Sequence, residues 1–329
     1  MLLKDKLAAF AVVFIWGINF YFMKVGVSEI TPMMLGCLRY ILVLIPALLF
    51  IRIPQVGWKW LLAYGFISNF SQFAFMFSAI ATGMPTGLVA LVVQSQAFFT
   101  VMIAVFLLKE QASWNQWLAI VIASLGLLLI ALGQQHSHIP LLGLILVLCS
   151  AFSWACGNIV IKRMGSINPI GLVVWGNILT PLWFLLFAIQ DTGWQGVVVD
   201  WHALTWRGLG AAAFLAYFAT IIGYGLWIYL LTRYPAAKIS PLSLWVPVIS
   251  MIFANIFLDE HLNNWQWLGS VVVMLGLMVH LLGQKNQNAF DWKKATSPLI
   301  QYIRTKTNLI STTAIYRHYL NFKLTSIKA

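Results

Sequence analysis

The fold is decided by a stretch of 24 consecutive residues without a charged side chain, PTGLVALVVQSQAFFTVMIAVFLL (residues 85–108). A helix that crosses the hydrocarbon core of a bilayer needs about 20 mainly apolar residues. Gly83 precedes the stretch, and Lys109 and Glu110 follow it. These flanking residues favour a turn and a polar loop, so the stretch predicts one complete membrane span.

Stretches of the same kind recur along the chain. Of its 329 residues, 61% are hydrophobic and 9% are charged, and the mean hydropathy is +0.87. Soluble proteins carry about 25% charged residues, so the chain predicts an all-α integral membrane protein. Ten spans are expected, at residues 7–25, 32–51, 60–80, 85–108, 115–132, 139–161, 169–189, 208–230, 236–257 and 264–282.

The basic residues predict the orientation of these spans. Cytoplasmic segments carry an excess of Lys and Arg. With a cytoplasmic N-terminus, the outer segments contain only Lys24 and Arg207, and every other Lys and Arg except Arg39, which lies within a span, falls on the inner side. Both termini are therefore expected in the cytoplasm, which requires an even number of spans.

The C-terminal segment, residues 284–329, has a different composition. It contains eight Lys and Arg residues and one acid, Asp291, and it supplies +7 of the net charge of +12. A basic stretch beside a membrane span is attracted by anionic lipid. The segment predicts a disordered cytoplasmic tail that contacts lipid, and not a nucleic-acid-binding protein.

The two halves of the chain resemble each other. The segment PAAKISPLSLWVPVISMIFANIFLDE (residues 235–260) aligns without a gap with residues 85–110, 150 positions earlier. Pro85 then meets Pro235, and Glu110 meets Glu260. Each repeat has five spans, so the second repeat enters the membrane in the opposite direction. Such inverted repeats occur in secondary transporters, with the substrate site at the repeat interface near the midplane. The expected domains are repeats at residues 1–135 and 136–283.

The sequence contains no motif that is typical of an enzyme active site or of a metal site. All eight acids lie in loops, in the tail or at span ends, and no paired catalytic acids or phosphate-binding loop are found. His136 and His138 are interpreted as a polar loop and not as a metal site. The three cysteines lie in apolar stretches and are interpreted as packing residues. The sequence predicts neither an enzyme nor a metal or cofactor.

Arg39 is a full charge well inside a predicted span, about two turns from its start. A charge at a helix centre costs about 2.5–3.5 kcal/mol on insertion scales, so its side chain should face protein or a wet cavity. Two interpretations stay open. Arg39 could bind a substrate carboxylate, or it could snorkel to the interface or pair with neighbouring helix ends.

Several short motifs resemble the EamA branch of the drug/metabolite transporter superfamily. They are WGINF (residues 16–20), LRY (38–40), QSQAFF (94–99), FSWACGNI (152–159), GYG (223–225) and PLSLWVPV (241–248). Within this branch the pattern is most similar to exporters of O-acetylserine and cysteine. The resemblance covers about residues 5–283. It implies a ten-helix bacterial inner-membrane protein that exports small polar metabolites.

The resemblance also implies a central cavity lined by spans 1, 3, 4, 6, 8 and 9. The candidate lining residues are Asn19, Gln72, Gln94, Gln96, Asn158, Tyr224 and Trp245, with Arg39 as a further candidate. Buried amides also commonly join helices to one another, so each amide has this second interpretation. An exporter of aromatic amino acids or drugs, and a membrane protein without transport activity, remain as alternatives.

Overall fold

The computed structural model describes residues 2–109, 112–133, 140–164, 167–234 and 239–281, and all regular structure in these residues is helical. The α-helices are α1 Leu3–Val27, α2 Pro32–Phe50, α3 Trp58–Tyr64, α4 Gln72–Ala81, α5 Thr86–Val92, α6 Gln96–Leu108, α7 Trp114–Leu132, α8 Leu141–Met164, α9 Pro169–Trp175, α10 Thr180–Ala203, α11 Trp206–Ala213, α12 Gly223–Arg233, α13 Trp245–Leu258 and α14 Asn264–Leu281.

Local sequence signals fix where several helices begin. Thr31 caps α2 with its hydroxyl and Asn168 caps α9 with its amide oxygen, and in both helices proline is the first residue. Proline at this position has no N–H that would lack a partner. Ser113 and Gln116 form a reciprocal capping box at the start of α7. Asn263 and Gln266 exchange the same two hydrogen bonds, both 2.9 Å long, at the start of α14.

Eight helical stretches in the described residues are long and apolar enough to cross a membrane, and Leu242–Leu258 is a shorter apolar helix. These nine agree in position with nine of the ten predicted spans. The remaining one, predicted at residues 60–80, is the continuous series α3, a π-helical segment Gly65–Ser71, and α4. The multi-pass helical class is confirmed, and the count of ten crossings stays a prediction.

The helical path is interrupted at positions that correspond in the two halves. A π-helical segment lies at Gly65–Ser71 and another at Phe214–Ile222. Short 3₁₀ turns occupy Val93–Ser95 and Ser240–Leu244. Two non-glycine residues with positive φ in the described chain are Lys109, at 55°, and Asp259, at 54°. These two residues are 150 positions apart, as are the matched segments of the sequence.

The helices of each half pack mainly on helices of the other. Helix α1 packs against α12 and α13 of the second half, whereas α8 packs against α4 and α6 of the first. Helices α2 and α10 pack on each other. One large apolar cluster joins most of these helices. The interface between the halves therefore contains much of the interior of the molecule.

Glycines allow α7 and α14 to approach closely. A Cβ atom on Gly126 would lie 2.7 Å from the backbone N of Val273 and 2.8 Å from the O of Gly269. A Cβ atom on Gly276 would lie 3.0 Å from both the O of Ala119 and the N of Ala123. The second set is the first shifted by 150 residues, so the contact is reciprocal.

One predicted boundary was wrong. The residues between the predicted spans 169–189 and 208–230 were expected to be a connecting loop, but α10 continues to Ala203 through a break at Gly193, where φ is 72°. Trp194 and Trp201 are both exposed. In the part of α10 after Gly193, apolar side chains alternate with polar ones, as they do in helices that lie at a membrane surface. A search for continuous apolar stretches cannot detect such a helix.

We predict that Gly126→Ala destabilises the protein by about 1–3 kcal/mol, because its methyl group overlaps backbone atoms that cannot rotate away. Gly210→Ala is the control, since nothing lies within 4 Å of its Cβ position and alanine favours helix. Melting of the purified variants in detergent measures the difference. Equal melting temperatures of the two variants would contradict the close α7–α14 contact.

Candidate functional site

Arg39 of α2 is the centre of the candidate site. Its side chain is 3% exposed, and its Nη2 donates a hydrogen bond of 3.0 Å to Thr220 Oγ1. The guanidinium carbon lies 3.9 Å from the centre of the Phe73 ring, a distance at which an aromatic face attracts a cation. Arg39 is therefore held inside the protein and does not snorkel to the interface.

Thr220 lies within the π-helical segment Phe214–Ile222. Its hydroxyl donates a hydrogen bond of 2.8 Å to the carbonyl oxygen of Leu215, five residues earlier. A hydroxyl has one donor and two acceptor positions, so Thr220 can serve Leu215 and Arg39 at once. The widened turn thus presents a hydroxyl acceptor to the buried cation.

The remaining donors of Arg39 have no partner in the described part of the chain. Its Nε and Nη1 atoms are buried and make no hydrogen bond there. An unsatisfied buried donor costs about 1–3 kcal/mol, and more when it is charged. A ligand with a carboxylate would supply both the negative charge and the acceptors that this guanidinium lacks.

Gln96 and Asn158 are brought together as a polar bridge between α6 and α8. The Asn158 Nδ2 donates to Gln96 Oε1 at 2.9 Å and to Thr100 Oγ1 at 3.1 Å. All three residues are only partly buried. The contact joins helices, as the alternative interpretation of the amides expected, and it leaves polar edges that are partly exposed.

The other candidate amides do not join this bridge. Asn19 is buried, its Nδ2 contacts the Met23 sulfur at 3.9 Å, and its Oδ1 has no partner among the described residues. Gln72 is buried directly after the first π-helical segment. Gln94 is half-buried in the 3₁₀ turn Val93–Ser95.

The two aromatic candidates differ in their surroundings. Tyr224 is half-buried and packs edge-on against Trp16 with 5.5 Å between the ring centres. The Trp16 indole N–H donates to the carbonyl of Ala219 at 3.0 Å. Trp245, in contrast, is 60% exposed. Through Trp16, Tyr224 is thus linked to Ala219, the residue before Thr220, whereas Trp245 lies outside the buried set.

Sequence reasoning missed the partners of Arg39. Thr220 and Phe73 carry no motif, and both lie in stretches that read as ordinary apolar spans. Asn69 is an intramembrane amide outside the set of candidate residues, and its Oδ1 accepts a 3.2 Å hydrogen bond from the hydroxyl of Tyr40, the residue after Arg39. A search for intramembrane hydroxyls and amides near π-type breaks could have found Thr220.

The described residues contain no group of three or more His, Cys, Asp or Glu side chains placed to hold a metal. His136 and His138 lie outside the described residues. Cys37 is buried, and Cys149 and Cys156 are partly buried, all with free thiols. The geometry around Arg39 offers hydrogen bonds and charge, which suits binding of a polar solute.

Nearly all of the helical part of the sequence matches the model of one protein family. The EamA-like transporter family model matches residues 5–132 and 141–282. The chain belongs to the EamA-like transporter family.

Curated relatives extend this assignment. The chain is 39% identical over 297 residues to a "Probable amino-acid metabolite efflux pump" of Escherichia coli K12, covering 89% of this chain and 97% of the relative. A protein of the same description from Salmonella typhimurium is 40% identical over 285 residues, or 85% and 95% of the two chains. An uncharacterized inner membrane transporter of Escherichia coli, YedA, is 25% identical over 307 residues, or 89% and 95%.

One solved crystal structure shares the fold, with a TM-score of 0.52 and 17% identity over 86% of this chain and 97% of the other. The family, the relatives and the apolar helices identify a multi-pass protein of the bacterial inner membrane with a role in transport. This confirms the family and the localisation that were predicted from the motifs.

We predict that Thr220→Val destabilises the protein by about 1.5–3 kcal/mol, because it removes the acceptor of a buried charge. Thr220→Ser keeps the hydroxyl and should melt within about 1 kcal/mol of the wild type. Thermal unfolding of the purified variants measures both effects. The Arg39–Thr220 contact would be contradicted if valine and serine behaved alike.

Proposed function

We propose that the protein is a secondary transporter that exports small amino-acid-like metabolites, of the O-acetylserine and cysteine type, by alternating access. The observation that carries this proposal is the buried Arg39 guanidinium, with two donors unsatisfied by the described residues, at the interface of two related halves. A zwitterionic solute has the carboxylate that such a group binds. The polar bridge of Gln96 and Asn158 offers further hydrogen bonds.

An inverted 5+5 repeat is the architecture that we propose for this transporter. Its support is the set of matched irregularities: two π-helical segments, two 3₁₀ turns, the positive φ angles of Lys109 and Asp259, and two reciprocal caps. The reciprocal glycine contacts of α7 and α14 add a relation of the kind that a two-fold axis produces. Transporters built this way bind substrate near the midplane between repeats.

The proposed domains are a first repeat at residues 1–135, a second repeat at 136–283 and a basic tail at 284–329. The excess of Lys and Arg on one set of loops supports cytoplasmic termini. The tail lies outside the described residues, and its composition supports contact with anionic lipid.

The polar contacts of the candidate site run between these two repeats. Arg39 belongs to the first repeat and Thr220 to the second, and the same holds for Gln96 and Asn158. A solute that binds among these groups would contact both halves. Rocking of one half against the other would then change which side of the membrane reaches the site, as alternating access requires.

The substrate class rests on the relatives and on charge. Two relatives described as probable amino-acid metabolite efflux pumps support an amino-acid-like solute. A cationic drug would meet the positive charge of Arg39 near the site, which disfavours that alternative. Export of aromatic amino acids remains the second candidate, because the ring centres of Phe73 and Tyr40 lie 3.9 Å and 5.4 Å from the guanidinium carbon of Arg39. The named transport roles of the relatives also support a non-enzymatic function.

The direct test is export from bacterial cells that overproduce the protein and receive enough sulfur to drive cysteine synthesis. We expect O-acetylserine and cysteine to accumulate in the medium, in excess of cells with an empty vector. Tryptophan and phenylalanine are measured in the same medium. Accumulation of the aromatic amino acids alone, with the protein present in the membrane, would contradict the proposed substrate class.

We predict that Arg39→Gln lowers this export at least about 10-fold, since a charged hydrogen-bonded contact is worth about 1.5–3 kcal/mol. Arg52→Gln is the matched control, because Arg52 is exposed between α2 and α3. Export per membrane-inserted molecule is the measurement. Undiminished export by Arg39→Gln would remove Arg39 from the substrate site.

A further inference from the structure

Two carboxylates outside the candidate site link the two halves of the chain: Asp5 is buried and Glu260 is partly buried. Glu260, which follows α13, accepts hydrogen bonds from the backbone N–H of Thr86 at 2.6 Å and from its hydroxyl at 2.9 Å. Asp5, in the first turn of α1, is fully buried and accepts from the hydroxyls of Tyr229 at 2.9 Å and Tyr234 at 2.7 Å. We name the first pair the outer clasp and the second set the inner clasp.

The clasps lie at opposite ends of the helices. Asp5 is at the start of α1, and Thr86 begins α5 after three helical passages of the chain. An odd number of passages places these two positions on opposite faces of the membrane. With the orientation proposed above, the inner clasp faces the cytoplasm and the outer clasp faces the periplasm. Each joins one residue of the first repeat to the second repeat.

The outer clasp closes a tight contact between α5 and α13. A Cβ atom on Gly87 would lie 2.9 Å from the side chain of Met251, and Ser250 Oγ donates to the carbonyl of Thr86 at 3.4 Å. Ser250 is 2% exposed. Helices α5 and α13 are thus packed closely together at the level where Glu260 holds Thr86.

Burial of the Glu260 carboxylate has a free-energy cost, which weakens its contact with Thr86. Burial raises the pKa of Glu260 above its ordinary value, although the Thr86 hydrogen bonds and the Lys24 charge act in the opposite direction. Asp259 and His261, its chain neighbours, are exposed, with His261 Nε2 3.0 Å from Asp259 Oδ1. The carboxylate thus loses hydration in the closed contact and regains it on opening, which offsets part of the stabilisation by the hydrogen bonds.

The inner clasp has its own supporting contacts. The Arg233 guanidinium carbon lies 4.4 Å from the centre of the Tyr229 ring, and the backbone N–H of Leu2 donates to the Tyr234 hydroxyl at 3.3 Å. The start of α1 is thereby attached to the end of α12. Ala9, one turn further along α1 than Asp5, is 6% exposed.

We propose that the two clasps are the gating contacts of the transport cycle, and that opening of one favours closure of the other. The proposal rests on alternating access as the proposed function. Asp5, Glu260 and their partners are positioning residues, since they control access and do not touch the solute. In a two-state cycle, a change that weakens one closed contact shifts the population toward the state that opens that side.

Accessibility of two reporter cysteines tests the proposal. Cys37, Cys149 and Cys156 are replaced by alanine, and Ser250→Cys or Ala9→Cys is added. A membrane-impermeant thiol reagent is applied to right-side-out cells for the first reporter and to inverted vesicles for the second. We expect Glu260→Ala to speed labelling at position 250 about 10-fold and to slow labelling at position 9. Asp5→Ala should have the reverse effects at both positions.

The controls separate gating from loss of fold. Thr86→Val and the pair Tyr229→Phe with Tyr234→Phe should give smaller changes in the same directions as the corresponding carboxylate variants. Asp191→Ala, at an exposed carboxylate of α10, should change neither rate. Faster labelling at one reporter without slower labelling at the other, or faster labelling at both, would overturn reciprocal gating.

Export by the wild type is measured in parallel. Reciprocal labelling together with absent export of O-acetylserine and cysteine would contradict the proposed substrates and support the clasps. Export that is intact in the wild type, with labelling that the carboxylate variants do not change, would overturn the clasps and leave the proposed function standing.

Discussion

A positive charge that lies inside an apolar bundle is the constraint around which the rest of the structure is arranged. The Arg39 guanidinium is excluded from water, and its described polar partner is the Thr220 hydroxyl. A charge in this position is costly unless protein groups or a ligand compensate it. The contact requires α2 to lie beside the second π-helical segment, and so it fixes how the two halves meet at the centre of the molecule.

The two π-helical segments place polar groups beside Arg39. Backbone groups in a membrane must find partners inside the protein, so an irregular turn is tolerated only where it is buried or lines a cavity. At Thr220 the widened turn is satisfied by a hydroxyl that also receives Arg39. π-type turns occur frequently at functional sites. The related segment Gly65–Ser71 contains Asn69, which binds the Tyr40 hydroxyl beside the same arginine.

Short motifs allowed the family to be predicted, and hydropathy, a local signal, predicted the positions of nine spans and placed Arg39 inside one of them. The sequence also singled out Gln96 and Asn158, which form one contact although they are 62 residues apart. The partners of Arg39 and of Asp5 could not be predicted. Residues 39 and 220 lie 181 positions apart, and hydropathy contains no information on which face of a span meets which neighbour. The surface helix before Ala203 was missed for a related reason, since its polar and apolar residues are interleaved.

Arg39 is proposed to receive the carboxylate of the solute, and ligand-induced stabilisation of the purified protein tests this directly. Melting is measured with cysteine and with its methyl ester, which keeps the amine and the thiol but masks the carboxylate, for the wild type and for Arg39→Gln. If Arg39 binds the carboxylate, cysteine raises the melting temperature of the wild type, while the ester does not and the variant responds to neither. Equal stabilisation by both ligands, or an unchanged response of Arg39→Gln, would contradict this role of Arg39.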